Sequence, residues 1–431
     1  MTESVESLSK KFTLFTWSAQ LGVVRHNVVR AKGVYFWDDK GSKYIDFSSQ
    51  LVNTNIGHCH PRIVKAISKQ IKLLDFASPA FASRPKAELG RMLARLTGLS
   101  KSFFTTGGGE ANENAILIAR QFTHKDIILS RTPSYHGATY AARTASQDYT
   151  RSLPRKHRAP GFYSFSAPQC LPKKDPSHIS CCEASLDELN RLIRKYRGRI
   201  AAVILEPIPG AQGIFIPSQK YLPSLVRICK KNNVLIIFDE VMTGFGRTGK
   251  WFSYQHWKVR PDILTLSKGI NGGSVPLGVV IVSKNISEYF DKNKLLAGLT
   301  NSGHPLGCAA AIEAIKIYKE DKLITRSQKL GKILRSRLDI FLKDYNEIVD
   351  IRSIGLFACI EFLKDNSLVK STQLVEQIVD GAYKRGLYFY HRLNTIIISP
   401  PLTISQKELL KGIAILKEVL DNRSTDLSAK F

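Results

Sequence analysis

The chain of 431 residues lacks several features that define other classes of protein. No apolar run approaches the roughly 18 residues that a helix needs to span a bilayer, so a membrane partner is not expected. The start of the chain is polar and acidic, and it has none of the basic and apolar regions of a secretory signal. Seven cysteines, an odd number in a long chain, argue against a disulfide framework. We therefore expect a cytoplasmic protein with reduced cysteines.

Acidic residues are scarce beside basic ones, with 36 Asp and Glu against 63 Lys and Arg and a net charge of +27. Such an excess can attract nucleic acid or anionic lipid without specificity. The basic residues are spread along the chain, with local runs at 151–158 and 191–199. They lack the aromatic platforms and recognition motifs that nucleic-acid binding adds. We expect a solvated basic surface and no specific nucleic-acid partner, and we keep a basic binding protein as the non-enzymatic alternative.

A metal site is considered in the stretch 153–183, which is rich in Pro, Ser, Lys and Cys. Cys170, His178, Cys181 and Cys182 lie close together there, but their spacing fits no paired Cys-x-x-Cys arrangement. The stretch has no clear period, which favours a long surface connection. No metal is predicted.

The hydrophobic pattern predicts an α/β protein with a second, smaller domain. Residues 33–47 contain two aromatic and β-branched runs around a glycine, which indicates a hairpin. Beyond residue 61, helical stretches alternate with short apolar runs, which is typical of a mostly parallel sheet covered on both faces. The runs are 200–205, 234–238, 263–266 and 279–282. We predict a segment 1–60 that contributes to the small domain, a large domain 61–320 and an α+β small domain 321–431.

Two acidic residues, Asp239 and Glu240, follow the apolar run 234–238 and precede a glycine-rich loop. The carboxyl end of a strand is where α/β sheets bind ligands, so a site is expected here. The same pattern occurs in nucleotide hydrolases, but those also need a Gly-x-x-x-x-Gly-Lys-Ser/Thr loop. No such loop is present in the sequence, which excludes that class.

Lys268 ends another short apolar run and is flanked by Ser267 and Gly269. A lysine at the end of a buried strand is costly because desolvation disfavours its charge, and this environment suits a Schiff base. A surface lysine is the alternative for this residue taken alone. Three glycines at 107–109 precede an amphipathic helix, and its N-terminus would present free N–H groups to a phosphate. A flexible loop is the alternative for these glycines.

A third strand end carries Ser134-Tyr135-His136-Gly137, where a tyrosine can stack on a flat aromatic ligand. These segments, taken in order, resemble class III aminotransferases, which are pyridoxal 5′-phosphate (PLP) enzymes of fold type I. The resemblance covers nearly the whole chain and implies a mainly parallel seven-stranded sheet in the large domain. The segments that carry it are 107–112, 134–137, 206–207, 239–252, 267–269 and 300–305.

The resemblance implies a role for each matching residue. Lys268 would form a Schiff base with PLP and then act as base and acid in catalysis, while Asp239 would pair with the pyridine nitrogen. Thr300 would reach the phosphate of the neighbouring subunit, which implies a homodimer. The other implied cofactor-binding residues are Gly108, Gly109, Tyr135, His136, Glu206 and Val241. The chain departs from the family at Gly107, where a serine is common, and at Asn301, where a tyrosine is frequent.

The resemblance also indicates the substrates. Arg392 lies in a C-terminal segment similar to the one that carries the family's keto-acid arginine, and a guanidinium binds both oxygens of a carboxylate. Trp17 lies in an N-terminal segment similar to ω-amino-acid:pyruvate and taurine:pyruvate aminotransferases, where it would wall the substrate pocket. We expect ping-pong transfer from an ω-amine or amino acid, such as taurine or β-alanine, to a keto acid such as pyruvate. Diaminopelargonate or acetylornithine-type aminotransferases and a glutamate-semialdehyde aminomutase remain alternatives.

Overall fold

A computed structural model describes residues 3–20, 27–148, 150–169 and 180–428. The described residues of the N-terminal part form one helix, three strands and a short, irregular helical turn. Their bounds are α1 Val5–Phe12, β1 Val28–Lys32, β2 Tyr35–Asp38, β3 Lys43–Asp46 and α2 Ser49–Val52. β2 and β3 pair antiparallel, which confirms the predicted hairpin.

The central part alternates helices and strands, as the apolar pattern predicts. Its elements are α3 Pro61–Leu73, α4 Arg84–Thr97, β4 Lys101–Thr105, α5 Gly108–Thr123, β5 Ile127–Thr132, α6 Tyr140–Ala145, β6 Phe162–Ser166, α7 Ser180–Lys195, β7 Ile200–Leu205, α8 Tyr221–Lys231, β8 Leu235–Asp239, β9 Ile263–Leu266, β10 Gly278–Val282, α9 Lys284–Lys292 and α10 Pro305–Glu320.

Seven of these strands form one sheet in the order β4-β10-β9-β8-β7-β5-β6. The pairs from β9 through β6 are parallel, and β10 runs antiparallel to both of its neighbours. Every residue of β7 and of β10 is buried, because helices cover both faces of the sheet. The predicted α/β fold with a mainly parallel sheet of seven strands is confirmed.

The C-terminal part builds a second sheet and completes a third. Its elements are α11 Leu323–Asp344, β11 Ile348–Ser353, β12 Ala358–Phe362, α12 Leu368–Lys384, β13 Leu387–Tyr388, β14 Tyr390–Arg392, β15 Thr395–Ile398 and α13 Gln406–Ser428. One sheet has the order β11-β12-β15-β14, and β13 joins β1, β2 and β3 in the other. The N-terminal hairpin therefore pairs with the C-terminal part through β3 and β13. The domain boundaries at 60 and 320 stay a prediction.

The stretch 153–183 differs from the expected surface connection. It contains β6, which pairs in parallel with β5 at the edge of the large sheet. The composition of the stretch did not indicate this strand, because prolines and lysines surround its short aromatic segment. Cys181 is disulfide-bonded, so the expectation of reduced cysteines is wrong for this residue. Cys170 and His178 of the considered metal cluster lie outside the described residues. Within the described part of the chain, no helix is long and apolar enough to cross a membrane.

Candidate active site

A cavity of about 550 Å³ opens at the carboxyl ends of the central strands. β8 ends at Asp239, β7 is followed by Glu206, and β9 leads into Ser267 and Lys268. All four side chains line the cavity, together with the N-terminal turn of α5. Parallel strands bring their carboxyl ends to the same edge of a sheet, which is why residues far apart in sequence meet here.

Asp239 is 4% exposed and is held by three hydrogen bonds. Its Oδ2 atom accepts from Asn112 Nδ2 at 2.7 Å and lies 2.8 Å from His136 Nδ1, while its Oδ1 atom accepts from the backbone N–H of Val241 at 3.0 Å. Thr265 Oγ1 donates in turn to Asn112 Oδ1 at 2.7 Å. This network fixes the carboxylate toward the cavity. Sequence reasoning missed Asn112, although its place four residues after Gly108 puts it on the same face of α5.

Glu206 is a second buried carboxyl group in the cavity. It accepts hydrogen bonds from the backbone N–H groups of Tyr135 at 3.1 Å and Gly210 at 3.0 Å. Burial, and then the negative charge of Asp239, raise the pKa of Glu206. The two acids therefore differ in environment, since Asp239 faces a histidine and an amide whereas Glu206 faces backbone groups.

Lys268 lines the cavity and has a left-handed backbone (φ 43°), which a lysine rarely adopts. Such strained conformations concentrate at functional sites. Desolvation lowers the pKa of Lys268 to about 8, although the charges of Asp239 and Glu206 act in the opposite direction. A larger fraction of neutral amine near physiological pH makes this lysine a better nucleophile than a surface lysine.

The N-terminus of α5 meets the turn that carries Tyr135 and His136 through two glycines. A Cβ atom on Gly137 would lie 2.5 Å from the Cα of Gly109, and a Cβ on Gly108 would lie 2.7 Å from Cγ1 of Val241. The absence of these side chains keeps backbone N–H groups of the first helical turn accessible from the cavity. Gly107, Gly108, Gly109, Tyr135, His136 and Val241 all line the cavity.

Two aromatic side chains and one guanidinium form a further part of the cavity wall. The guanidinium of Arg151 lies 4.1 Å from the ring centroid of Tyr135 and 5.1 Å from that of Trp17. Trp17 meets Tyr135 edge-on with their centroids 6.3 Å apart. The structure therefore places the predicted Trp17 at the cavity. It also adds Arg151, which sequence reasoning counted only as part of a basic run.

Two predicted residues do not line this cavity in their own chain. The guanidinium of Arg392 donates to Asp148, to Thr150 Oγ1 at 2.9 Å and to the carbonyl of Ala211 at 2.9 Å. It lines a neighbouring cavity of about 340 Å³. Thr300 is exposed to solvent. The roles of Arg392 and Thr300 stay predictions.

The residues of the cavity fit PLP. A helix N-terminus with glycines suits the phosphate, Asp239 suits a protonated ring nitrogen, and a half-buried lysine of lowered pKa suits the aldehyde. His136 Nε2 is buried and has no hydrogen-bond partner among the described residues, as expected of a polar atom beside a ligand. The fold and this site define a PLP-dependent enzyme of fold type I.

Comparison with known proteins gives the family. The model of the family described as aminotransferase class-III matches residues 18–420. Acetylornithine aminotransferase from Methanothermobacter thermautotrophicus is 33% identical, and the match covers 98% of this chain and 99% of the length of that protein. The crystal structure of taurine:2-oxoglutarate aminotransferase from Bifidobacterium kashiwanohense, in complex with PLP and glutamate, superposes with a TM-score of 0.92. It is 35% identical, and the match covers 98% of each chain.

A third protein shares the fold over its full length. The (S)-enantioselective ω-transaminase from Thermomicrobium roseum has a TM-score of 0.90 and 32% identity, over 97% of this chain and 100% of its own. The chain belongs to the class-III aminotransferases. It is a PLP-dependent enzyme that acts on small molecules, which confirms the predicted family, activity class and cofactor.

Proposed function

We propose that the enzyme transfers an amino group from an amine that also carries a separate acid group, such as taurine or β-alanine, to a keto acid. The observation that carries this proposal is Arg151. Its guanidinium lines the same cavity as Lys268 and lies 4.1 Å from the ring centroid of Tyr135. An arginine in a partly desolvated pocket binds a carboxylate or sulfonate through paired charge-assisted hydrogen bonds.

The proposed roles follow the environment of each residue. PLP, when bound, supplies the electron sink that stabilises a carbanion next to the amine-bearing carbon. Lys268 Nζ would hold the cofactor and then move the proton at the reacting carbon, because its lowered pKa lets it change charge near neutral pH. Asp239 would keep the ring nitrogen protonated, and the N–H groups of Gly108 and Gly109 would bind phosphate.

Three other residues would define the walls of the site. Tyr135 and Val241 would hold the two faces of the ring, and Glu206 would lie on the substrate side. We further propose a homodimer in which Thr300 reaches the neighbouring active site. Two exposed apolar side chains support an interface between copies, Leu73 (78% exposed) and Phe81 (68% exposed). Sedimentation of the purified protein tests the dimer.

The similarity to acetylornithine aminotransferase gives a second candidate. N-acetylornithine also carries an acid group apart from the reacting amine, so the same arginine would serve it. The first experiment is an absorption spectrum of the PLP-bound protein with taurine, β-alanine, N-acetylornithine, ornithine or alanine as donor. The donor that converts the PLP band to that of pyridoxamine phosphate is the substrate, and pyruvate or 2-oxoglutarate should restore the band. No change with any donor contradicts the proposal.

Arg151→Gln tests the recognition of the acid group. We expect KM for the acid-bearing donor to rise about ten-fold to a hundred-fold, the value of a charge-assisted hydrogen bond. The KM for an amine without an acid group, such as 1-phenylethylamine, should change little. Arg155→Gln is the matched control, because Arg155 belongs to the same basic run but is exposed. An equal rise in KM for donors with and without an acid group would argue against substrate contact by Arg151.

A further inference from the structure

A buried aspartate joins the cavity arginine to the arginine outside it. Asp148 is 1% exposed and follows α6. Its Oδ2 atom accepts from Arg151 Nη2 at 2.8 Å and Nε at 3.1 Å, and from Gln212 Nε2 at 2.7 Å. Its Oδ1 atom accepts from Arg392 Nη2. One carboxylate therefore holds two guanidinium groups on opposite oxygens.

The three segments that meet at Asp148 come from distant parts of the chain. Arg151 is local to the aspartate, Gln212 follows β7, and Arg392 ends β14 beyond the large sheet. Arg151 lines the main cavity, whereas Arg392 lines the neighbouring one, and Ala211 lies on the wall of both. Arg392 is therefore one side chain away from the active site but turned toward Asp148.

The charges at this cluster do not cancel. Burial alone would raise the pKa of Asp148, but the hydrogen bond from Arg151 and the charges of Arg392 and Arg151 hold that pKa well below its usual range. The aspartate is thus ionised, and the cluster carries two positive charges and one negative charge. One unit of positive charge remains for a ligand, on the side where Arg151 faces the cavity.

We propose that Asp148 is a positioning residue that sets the number of acid groups the site accepts. It fixes Arg151 at the cavity wall and neutralises Arg392, so that keto acids with one carboxylate are preferred over those with two. This inference rests on the proposed function, because it assigns a selectivity to the same site. A dicarboxylate needs a second cation, which the contact with Asp148 withholds.

Asp148→Asn tests the proposal, because asparagine keeps the shape of the side chain and removes its charge. We expect the ratio of kcat/KM for 2-oxoglutarate to that for pyruvate to rise about five-fold or more, mainly through KM. Arg392→Ala leaves no net charge on the cluster and should lower that ratio below the wild-type value. The double variant restores one net positive charge and should return the ratio to the wild-type value.

Inert acids give a readout that does not depend on turnover of the keto acid. Competitive inhibition by glutarate relative to butyrate should follow the same order among the variants. Asp126→Asn is the matched control, because Asp126 also pairs with an arginine, Arg199, but at an exposed site. It changes the net charge of the protein equally and should leave both ratios unchanged.

The outcomes distinguish a failure of the proposal for Asp148 from a failure of the proposed function. If Asp148→Asn weakens both keto acids equally, the residue only supports the fold and the proposal is overturned. The same conclusion follows if Arg392→Ala leaves the ratio unchanged, which keeps the test valid even where Asp148→Asn fails to fold. Wild-type protein that transfers no amino group at all would instead overturn the proposed function.

Discussion

The Oδ2 atom of Asp239 lies 2.8 Å from Nδ1 of His136, and both side chains are almost fully buried. The Oδ2 atom has two partners, because Asn112 Nδ2 also donates to it. Its Oδ1 atom is held only by the backbone N–H of Val241 among the hydrogen bonds of the described residues. This leaves acceptor capacity for a further donor from the cavity, such as a protonated ring nitrogen.

Asp239→Asn should therefore reduce turnover by about 10²–10⁴-fold, the range for loss of a proton held in the transition state. Asparagine preserves the shape but does not stabilise a protonated ring. The measurement is the single-turnover rate of donor conversion, followed by the cofactor spectrum.

Glu240→Gln is the control for Asp239→Asn. Glu240 lies at the same strand end but accepts from Thr243, Ser253 and Tyr254 rather than facing the cavity. Burial raises the pKa of Glu240. Replacing this carboxyl group with the neutral amide of glutamine should therefore disturb its surroundings less than the corresponding change at Asp239. Equal losses in the two variants would contradict a specific role for Asp239.

The lowered pKa of Lys268 predicts the pH dependence of cofactor attachment. The amine is protonated below its pKa and nucleophilic above it, so a pKa of about 8 moves the reactive form down from the ordinary 10.5. Reattachment of PLP to stripped protein should accelerate with pH and reach half its maximal rate near pH 8. Stopped-flow absorbance at the PLP band measures this rate.

Two variants sharpen the prediction for Lys268. Because the charge of Asp239 raises the pKa of Lys268, Asp239→Asn should shift the midpoint to lower pH. Lys268→Ala should bind PLP without covalent attachment, as shown by removal of PLP on gel filtration under denaturing conditions. A midpoint near 10.5 in the wild-type protein would indicate a solvated lysine instead.

The close approach of Gly108 to Val241 predicts an effect on cofactor affinity. Gly108→Ala would place a methyl group 2.7 Å from Cγ1 of Val241, so one of the two must move. Displacement of either widens or tilts the phosphate turn, and we expect the Kd for PLP to rise about ten-fold or more. Equilibrium titration of stripped protein with PLP measures this change.

Gly107→Ala is the matched control for Gly108→Ala. A Cβ atom at Gly107 meets no other atom within 4 Å, and its backbone is extended (φ −166°), which any residue adopts. We expect the Kd for PLP to change little in this variant. Gly107→Ser, which restores the hydroxyl common in relatives, should lower the Kd. Equal weakening by both alanines would show that the turn tolerates no side chain for reasons other than Val241.

Much of the architecture could be predicted from the sequence because it depends on local patterns. The apolar runs that became β7, β8, β9 and β10 each ended close to the predicted residue, and parallel strands necessarily bring Asp239 and Lys268 to one edge. β6 was missed because a short edge strand among prolines has too weak a period.

The substrate side of the site could not be predicted, because it depends on how loops pack. Arg151 looked like part of a solvated basic run, and only the fold turns its guanidinium over Tyr135. Its contact with Asp148, and that of Asp148 with Arg392 from 244 residues away, join segments with no shared pattern. Arg392 was chosen from its segment alone, which does not show which way the side chain points.

Arg247, in the loop after β8, connects the N-terminal and C-terminal parts of the structure, and its contacts predict a stability effect away from the cofactor. Its buried guanidinium donates to the carbonyls of Leu356 at 2.9 Å and Pro400 at 2.6 Å, and to Asn55 Oδ1 at 2.7 Å. Desolvation lowers the pKa of Arg247 to about 10. Among the hydrogen bonds of the described residues, these two carbonyl groups of the C-terminal part are held by the Arg247 guanidinium.

Arg247→Met should lower the free energy of unfolding by about 3 kcal/mol or more, because it leaves several buried acceptors without a partner. Arg199→Met is the control, since Arg199 forms an exposed ion pair with Asp126, and such pairs contribute about 1 kcal/mol or less. The midpoint of urea unfolding measures both variants. The loss in Arg247→Met should appear first in the C-terminal part, because Leu356 and Pro400 lie there. Similar midpoints for the two variants would mean that water replaces the guanidinium and that Arg247 does not couple the two parts of the chain.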